Sequence, residues 1–389
     1  MNPAGADLVA AEPEAYPSAP SPPKHSRKYI PSLDGLRGVA ILGVMGYHFS
    51  NESHYARIFL PFHPGWVGVD LFFVISGFLI TGILLDSRGK PGYFYNFYAR
   101  RVLRIFPLYY SFLLLMLIIY LVSGSKIVPG LDRSIATWPW WVFYGANFLV
   151  AARGWQYPSM GGLWSLAVEE HFYFCWPAFV RFTSPRVLLG GAIFGALASL
   201  GLRFAISAAG VTNPLVYYCL TPCRLDGLCI GAALAVVYKS RGLESLRGLA
   251  WMMLGCGAAG FLLALAWSHD ASFNGAKTQT FGFFALDVMF GGLLVHSVLA
   301  RPSSWLYRIL NGSVLPFFGK YSYGLYVLHP LMTVPLSAHL LPVLASHIHS
   351  NLLDSIIYGA VCFCGSITLA LVSWQLIEKR ALSLKRFFA

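Results

Sequence analysis

Arg37 and His48 are the residues in this sequence whose types and spacing first suggest chemistry. They stand eleven positions apart in SLDGLRGVAILGVMGYHFS, about three turns of a helix, so both face one side. Histidine is the side chain best suited to exchanging a proton near neutral pH. An ionisable group inside an apolar run is expensive and needs a partner, a cavity or a task. The plainer alternative is a structural histidine bonded to a neighbouring helix.

Other ionisable groups share such surroundings. Asp70, in GWVGVDLFFVISGFLITGILL, lies near the outer end of its run, at a depth matching His48. A carboxylate there can orient an imidazole and stabilise its charged form. Alternatively it pairs with an arginine, and its flanking Gly65, Gly68 and Gly77 serve close helix packing. In YFYNFYARRVLRIFPLYY, Arg101 and Arg104 are one turn apart just before Pro107, a natural clamp for phosphate; anchoring at the membrane surface is the bland reading, and it suits Arg100 better. LWSLAVEEHFYFCWP holds two adjacent carboxylates, Glu169 and Glu170, which on a helix point about 100° apart. Glu169 shares the face of Ser165 and is the one expected to look into a bundle, level with His48 and Asp70. Arg224 and Asp226 are two apart in TPCRLDGLCIGAALA and so poorly placed to pair with each other. Each is expected to hold a structural partner on another helix, as is Asp287. Arg203, Lys320 and His329 complete the set.

These groups must be positioned by membrane helices. The 389 residues are 57% hydrophobic and 11% charged, whereas soluble domains carry about 25% charged residues; a water-facing surface cannot be built from so few. The apolar residues fall into runs of about 20, the length that crosses a bilayer. Ten spans are expected, at about 36–52, 65–85, 105–123, 163–180, 186–209, 215–238, 248–268, 280–300, 312–338 and 353–377. The Trp-rich stretch 137–153 is expected to form an interfacial or re-entrant helix. Placing the N-terminus in the cytoplasm puts twenty Lys and Arg residues inside, five outside and three within spans, the bias of cytoplasmic loops. The expected fold is therefore all-α, a polytopic bundle of about ten transmembrane helices with both termini cytoplasmic. Residues 1–29, rich in Ala, Pro, Ser and Glu, read as a disordered tail preceding one membrane domain over 30–389. The net charge of +12 lies between spans rather than on a soluble basic face, which argues against nucleic acid. All seven cysteines lie inside apolar runs, so neither disulfides nor a metal site is expected.

The sequence resembles the bacterial acyltransferase-3 family of integral membrane O-acyltransferases. The likeness rests on SLDGLRGVAILGVMGYHF, GVDLFFVISGFLI, FYARRVLRIFPLYY, LWSLAVEEHFYFCWP, RLDGLCIGAALA, FGKYSYGLYVLHPL and WQLIEKR, in family order from about Ser32 to Arg386. The family often has proline where Arg380 stands. The resemblance implies O-acylation of a carbohydrate or similar hydroxylated acceptor in the bacterial plasma (inner) membrane, with acyl-CoA, usually acetyl-CoA, as donor substrate and no permanently bound cofactor. It maps the family's critical histidine to His48, its paired arginine to Arg37 and its arginine pair to Arg101 and Arg104. The expected mechanism docks the CoA phosphates at Arg101 and Arg104 with Arg37 beside them, and brings the thioester to His48, whose imidazolium Asp70 or Glu169 steadies. An acyl-histidine intermediate is the variant. No appended SGNH-type esterase is seen, so acceptor hand-over is expected within the bundle. The competing reading is a proton-coupled transporter or flippase of a lipid-linked glycan, although neither arginine pattern has a second copy.

Overall fold

The computed structural model describes residues 30–52, 64–268, 274–275 and 277–388. The expected tail at 1–29 lies outside the described residues. Helices follow one another in the order α1 (Pro31–Glu52), α2 (Gly68–Ser87), α3 (Tyr93–Ser123), α4 (Leu131–Ala136), α5 (Trp138–Val142), α6 (Ala146–Arg153), α7 (Trp164–Phe182), α8 (Pro185–Ala208) and α9 (Pro214–Cys219). They continue as α10 (Thr221–Arg241), α11 (Arg247–Ser268), α12 (Phe283–Val298), α13 (Trp305–Leu310), α14 (Val314–Lys320), α15 (Ser322–Leu328), α16 (Pro330–Ile348), α17 (Asn351–Ser373) and α18 (Lys379–Ser383). The described residues contain no strand. In lipid this is the economical solution, because a helix satisfies its own backbone donors and acceptors.

Eight helical stretches among the described residues are long and apolar enough to cross a membrane: Pro64–Ser87, Tyr93–Ser123, Pro185–Ala208, Pro214–Arg241, Leu243–Ser268, Thr278–Val298, Ser322–Ile348 and Asn351–Phe387. The other two expected crossings coincide with α1 and α7, helices of 22 and 19 residues. Both are long enough for a bilayer of about 20 helical residues but carry the polar groups of interest, Asp34, Arg37 and His48 on one and Glu169, Glu170 and Arg181 on the other. One boundary differs from expectation. The run read as a span over 312–338 is broken: α14 packs against α1, and the crossing stretch is Ser322–Ile348. Pro330 starts α16 at a position that needs no backbone N–H. The Trp-rich stretch 137–153 forms two short helices, α5 and α6, with Trp141 buried and Trp140 exposed.

Small residues let the helices approach. A Cβ at Gly77 of α2 would lie 1.9 Å from the Leu228 carbonyl oxygen of α10, and one at Gly319 of α14 would lie 1.8 Å from that of Asp34 in α1. Only glycine permits backbone contact this close, the packing mode of helices that gain nothing by hiding apolar surface from lipid. Two ion pairs lock the α2–α8–α10 group, Arg224 with Asp70 and Arg203 with Asp226, the latter at 2.7 Å. A separate apolar core joins Ile41, Met45 and Phe49 of α1 to Phe318, Leu325 and Tyr358.

Candidate active site

Three helices bring guanidinium, carboxylate and hydroxyl groups to one cavity of about 120 Å³. Helix α1 supplies Arg37, α3 supplies Arg101 and Arg104, and α7 supplies Ser165, Glu169 and Tyr173. Ser76 of α2 and Ser322, Tyr323 and Tyr326 of α15 close it. The Arg101 guanidinium stands 5.4 Å over the Tyr173 ring, and that of Arg104 stands 6.0 Å over Tyr323. Arg37 holds Asp34 at 3.0 Å. Among the described residues neither Arg101 nor Arg104 has a carboxylate within ion-pair distance. With Glu169 the one acidic side chain in the lining, the cavity is cationic and suits an anion bearing oxygens for paired N–H donors.

Hydroxyl hydrogen bonds stiffen the walls. Ser76 Oγ and Tyr173 Oη are 2.6 Å apart, and both face the Glu169 carboxylate. Tyr323 donates to the Ile105 carbonyl at 2.7 Å, holding the ring beneath Arg104. Tyr326 donates to the Gly162 carbonyl at 3.0 Å and shares a hydrogen bond with Ser165. A π-helical turn, Trp374–Glu378, interrupts the end of the α17 stretch. It buries Glu378 against Ser373 at 3.2 Å, on the Arg104 side of the cavity.

His48 is half-buried and is not part of the cavity lining. Its Nδ1 lies 2.9 Å from the Val44 carbonyl oxygen and 3.2 Å from Nε2 of His329, the two rings being 4.9 Å apart. Tyr326 belongs to both neighbourhoods: it lines the cavity, and its ring is 6.1 Å from that of His329. The imidazole pair is thus one side chain removed from the arginine cavity.

The structure gathers Arg37, Arg101, Arg104 and Glu169 and separates the other two expected site residues from them. Asp70, expected beside His48, is fully buried on Arg224 instead. The close α2–α10 contact puts the guanidinium of α10 against the carboxylate of α2, and neither charge can stay unpaired in that interior. Glu169, also expected level with His48, faces the arginines. The group that touches the His48 ring is His329. Its position is readable as a polar stripe, Ser322, Tyr326 and His329 recurring at four and then three residues in an apolar segment. No such signal marks Glu378, because a π-helical turn departs from the 3.6-residue period.

An acyltransferase-3 model, described as an acyltransferase domain, matches residues 30–374. The chain belongs to the acyltransferase-3 family. Among the similar acyltransferase-3 proteins, peptidoglycan O-acetyltransferase OatA of Listeria monocytogenes serovar 1/2a is 29% identical over 329 residues, which cover 80% of this chain and 50% of that protein. O-acetyltransferase OatA of Staphylococcus aureus strain NCTC 8325 is 28% identical over 320 residues, covering 78% of this chain and 51% of its own. The chain therefore spans about half the length of the curated relatives it matches. No solved structure matches this acyltransferase-3 chain.

Proposed function

We propose that this protein is a membrane O-acyltransferase that moves an acyl group, acetyl in the first instance, from acyl-CoA to a hydroxyl of a carbohydrate. One observation carries the reading: Arg37, Arg101 and Arg104 converge on a cavity whose Tyr326 wall also meets the His329–His48 pair. The donor's phosphates dock on the guanidiniums, and its thioester reaches past Tyr326 to His48. Nε2 of His48 takes the proton of the acceptor hydroxyl, and the freed oxygen attacks the thioester carbonyl. The tetrahedral species collapses by breaking the C–S bond, and the departing thiolate takes the proton back from Nε2. A site enclosed by helices limits competing hydrolysis. Glu169 orders Arg101 through Tyr173, whose ring lies under that guanidinium. The likeness to the Listeria peptidoglycan O-acetyltransferase supports a glycan acceptor of the peptidoglycan type, and the distribution of Lys and Arg supports a plasma-membrane protein with the arginine mouth on the cytoplasmic side.

Detergent-purified protein incubated with labelled acetyl-CoA and a chitin oligosaccharide tests the reading through CoA thiol release and glycan labelling. His48→Ala is expected to lower transfer by about 10²–10⁴-fold, the worth of a positioned general base, while retaining acetyl-CoA binding. Wild-type protein that releases no CoA above the hydrolysis blank, or a His48→Ala variant that transfers normally, would overturn it.

A further inference from the structure

Both imidazoles of the pair lie against backbone carbonyls. Nδ1 of His48 is 2.9 Å from Val44 O, and Nδ1 of His329 is 2.9 Å from Leu325 O. A carbonyl oxygen can only accept, so each Nδ1 carries the ring hydrogen. In the neutral rings each Nε2 is then a bare lone pair. His329 Nε2 and His48 Nδ1 are 3.2 Å apart, so the single Nδ1 hydrogen of His48 is shared between the Val44 carbonyl and His329 Nε2, and His329 accepts. Among the described residues His48 Nε2 makes no hydrogen bond within the protein.

We infer that His329 is a positioning residue for the transfer, accepting from His48 Nδ1 so that the ring is fixed with Nε2 bare toward the acceptor hydroxyl. The inference rests on the function proposed above and adds a second histidine to it. When Nε2 takes the acceptor's proton, the positive charge spreads to Nδ1–H, and the His329 lone pair strengthens its hold there. A carboxylate commonly fills that role. Here the carboxylate of matching depth, Asp70, is bound to Arg224, and no carboxylate pairs with either ring among the described residues. The nearest ring neighbours are tyrosines, Tyr47 at 5.4 Å from His48 and Tyr326 at 6.1 Å from His329. A neutral acceptor stabilises imidazolium less than a carboxylate would. That suits a base which must return its proton to a thiolate within the same turnover.

The test compares His329→Leu with His329→Gln in the full chain in lipid nanodiscs, alongside ¹⁵N-histidine solid-state NMR of the wild-type protein. Glutamine places an amide oxygen near the position of Nε2 and can accept, whereas leucine cannot. His329→Leu is expected to lose about 10- to 100-fold in kcat, the worth of a hydrogen bond to a charged group, with the acetyl-CoA KM unchanged; His329→Gln is expected to recover most of it. The NMR spectrum, assigned by difference against His48→Gln and His329→Gln, is expected to show both rings protonated at Nδ1 and bare at Nε2. A His48 ring protonated at Nε2, or a His329→Leu enzyme with wild-type kcat, would overturn the inference and leave the transferase reading standing. Wild-type protein with the expected tautomers but no CoA release would instead sink the transferase reading. Equal losses in the leucine and glutamine variants would reduce His329 to a packing residue.

Discussion

Replacing Asp70 by asparagine separates a structural carboxylate from a catalytic one. Asp70 and Arg224 each have 0% side-chain exposure, and removing one partner of such a pair costs about 3–5 kcal/mol. Arg224 has other company. Its guanidinium lies 4.2 Å over the Phe283 ring, and Asp287 shares its surroundings with carboxylate oxygens that have no hydrogen-bond partner among the described residues. Asp287 can supply the missing counter-charge, so the loss expected for Asp70→Asn is about 3 kcal/mol, the lower end of that range. Joint replacement, Asp70→Leu with Arg224→Leu, removes both charges and should recover most of the loss, since apolar replacement of a buried pair is often neutral or better. The assay is thermal loss of monodisperse protein in detergent, with kcat measured on the folded fraction. Asp70→Asn should melt earlier while its folded molecules turn over at the wild-type rate. An asparagine variant that melts normally but loses about 10⁴-fold in kcat, the effect of removing a carboxylate that orients a catalytic imidazole, would refute the structural assignment.

Two further outcomes follow from the geometry. On the proposed donor docking, Arg101→Ala and Arg104→Ala should each raise the KM for acetyl-CoA by about 10- to 100-fold, the worth of one charge-assisted contact; kcat at saturating donor should hold, and isothermal titration with CoA alone checks the binding. Gly77→Ala puts a Cβ 1.9 Å from the Leu228 carbonyl oxygen and should destabilise by about 1–3 kcal/mol through overpacking, while Gly190→Ala, which meets nothing within 4 Å in the interior of α8, should hold or raise the melting temperature.

How much of this is legible in the sequence depends on which dimension a pattern reports. Hydropathy reports depth, because a bilayer demands about 20 apolar residues per crossing, and nine of the ten runs read from it fall on the expected helices, the run over 312–338 being broken between α14 and α15. Helical spacing reports azimuth on one helix: Arg101 with Arg104, and Ser165 with Glu169, do line the same cavity. Neither reports which face of which helix lies opposite. Asp70 and His48 match in depth, yet the partner of Asp70 is an arginine 154 positions away on α10, the alternative that the glycine flanks allow but that spacing cannot locate on a particular helix. The break at Tyr321, between α14 and α15, lies inside a long apolar run, so hydropathy alone places the start of the 312–338 span too far toward the N-terminus.

One feature of α15 reaches further than its length suggests. Seven helical residues, Ser322–Leu328, with His329 at their end, present Ser322, Tyr323 and Tyr326 to the arginine cavity and His329 to the His48 ring. A residue inserted or deleted just before Ser322 would rotate everything beyond it by about 100°, turning the wall of the arginine cavity and the histidine contact away together. At this junction a single-codon slip disturbs two neighbourhoods at once, so the length of the Lys320–Ser322 link is as much a part of the specification as any side chain.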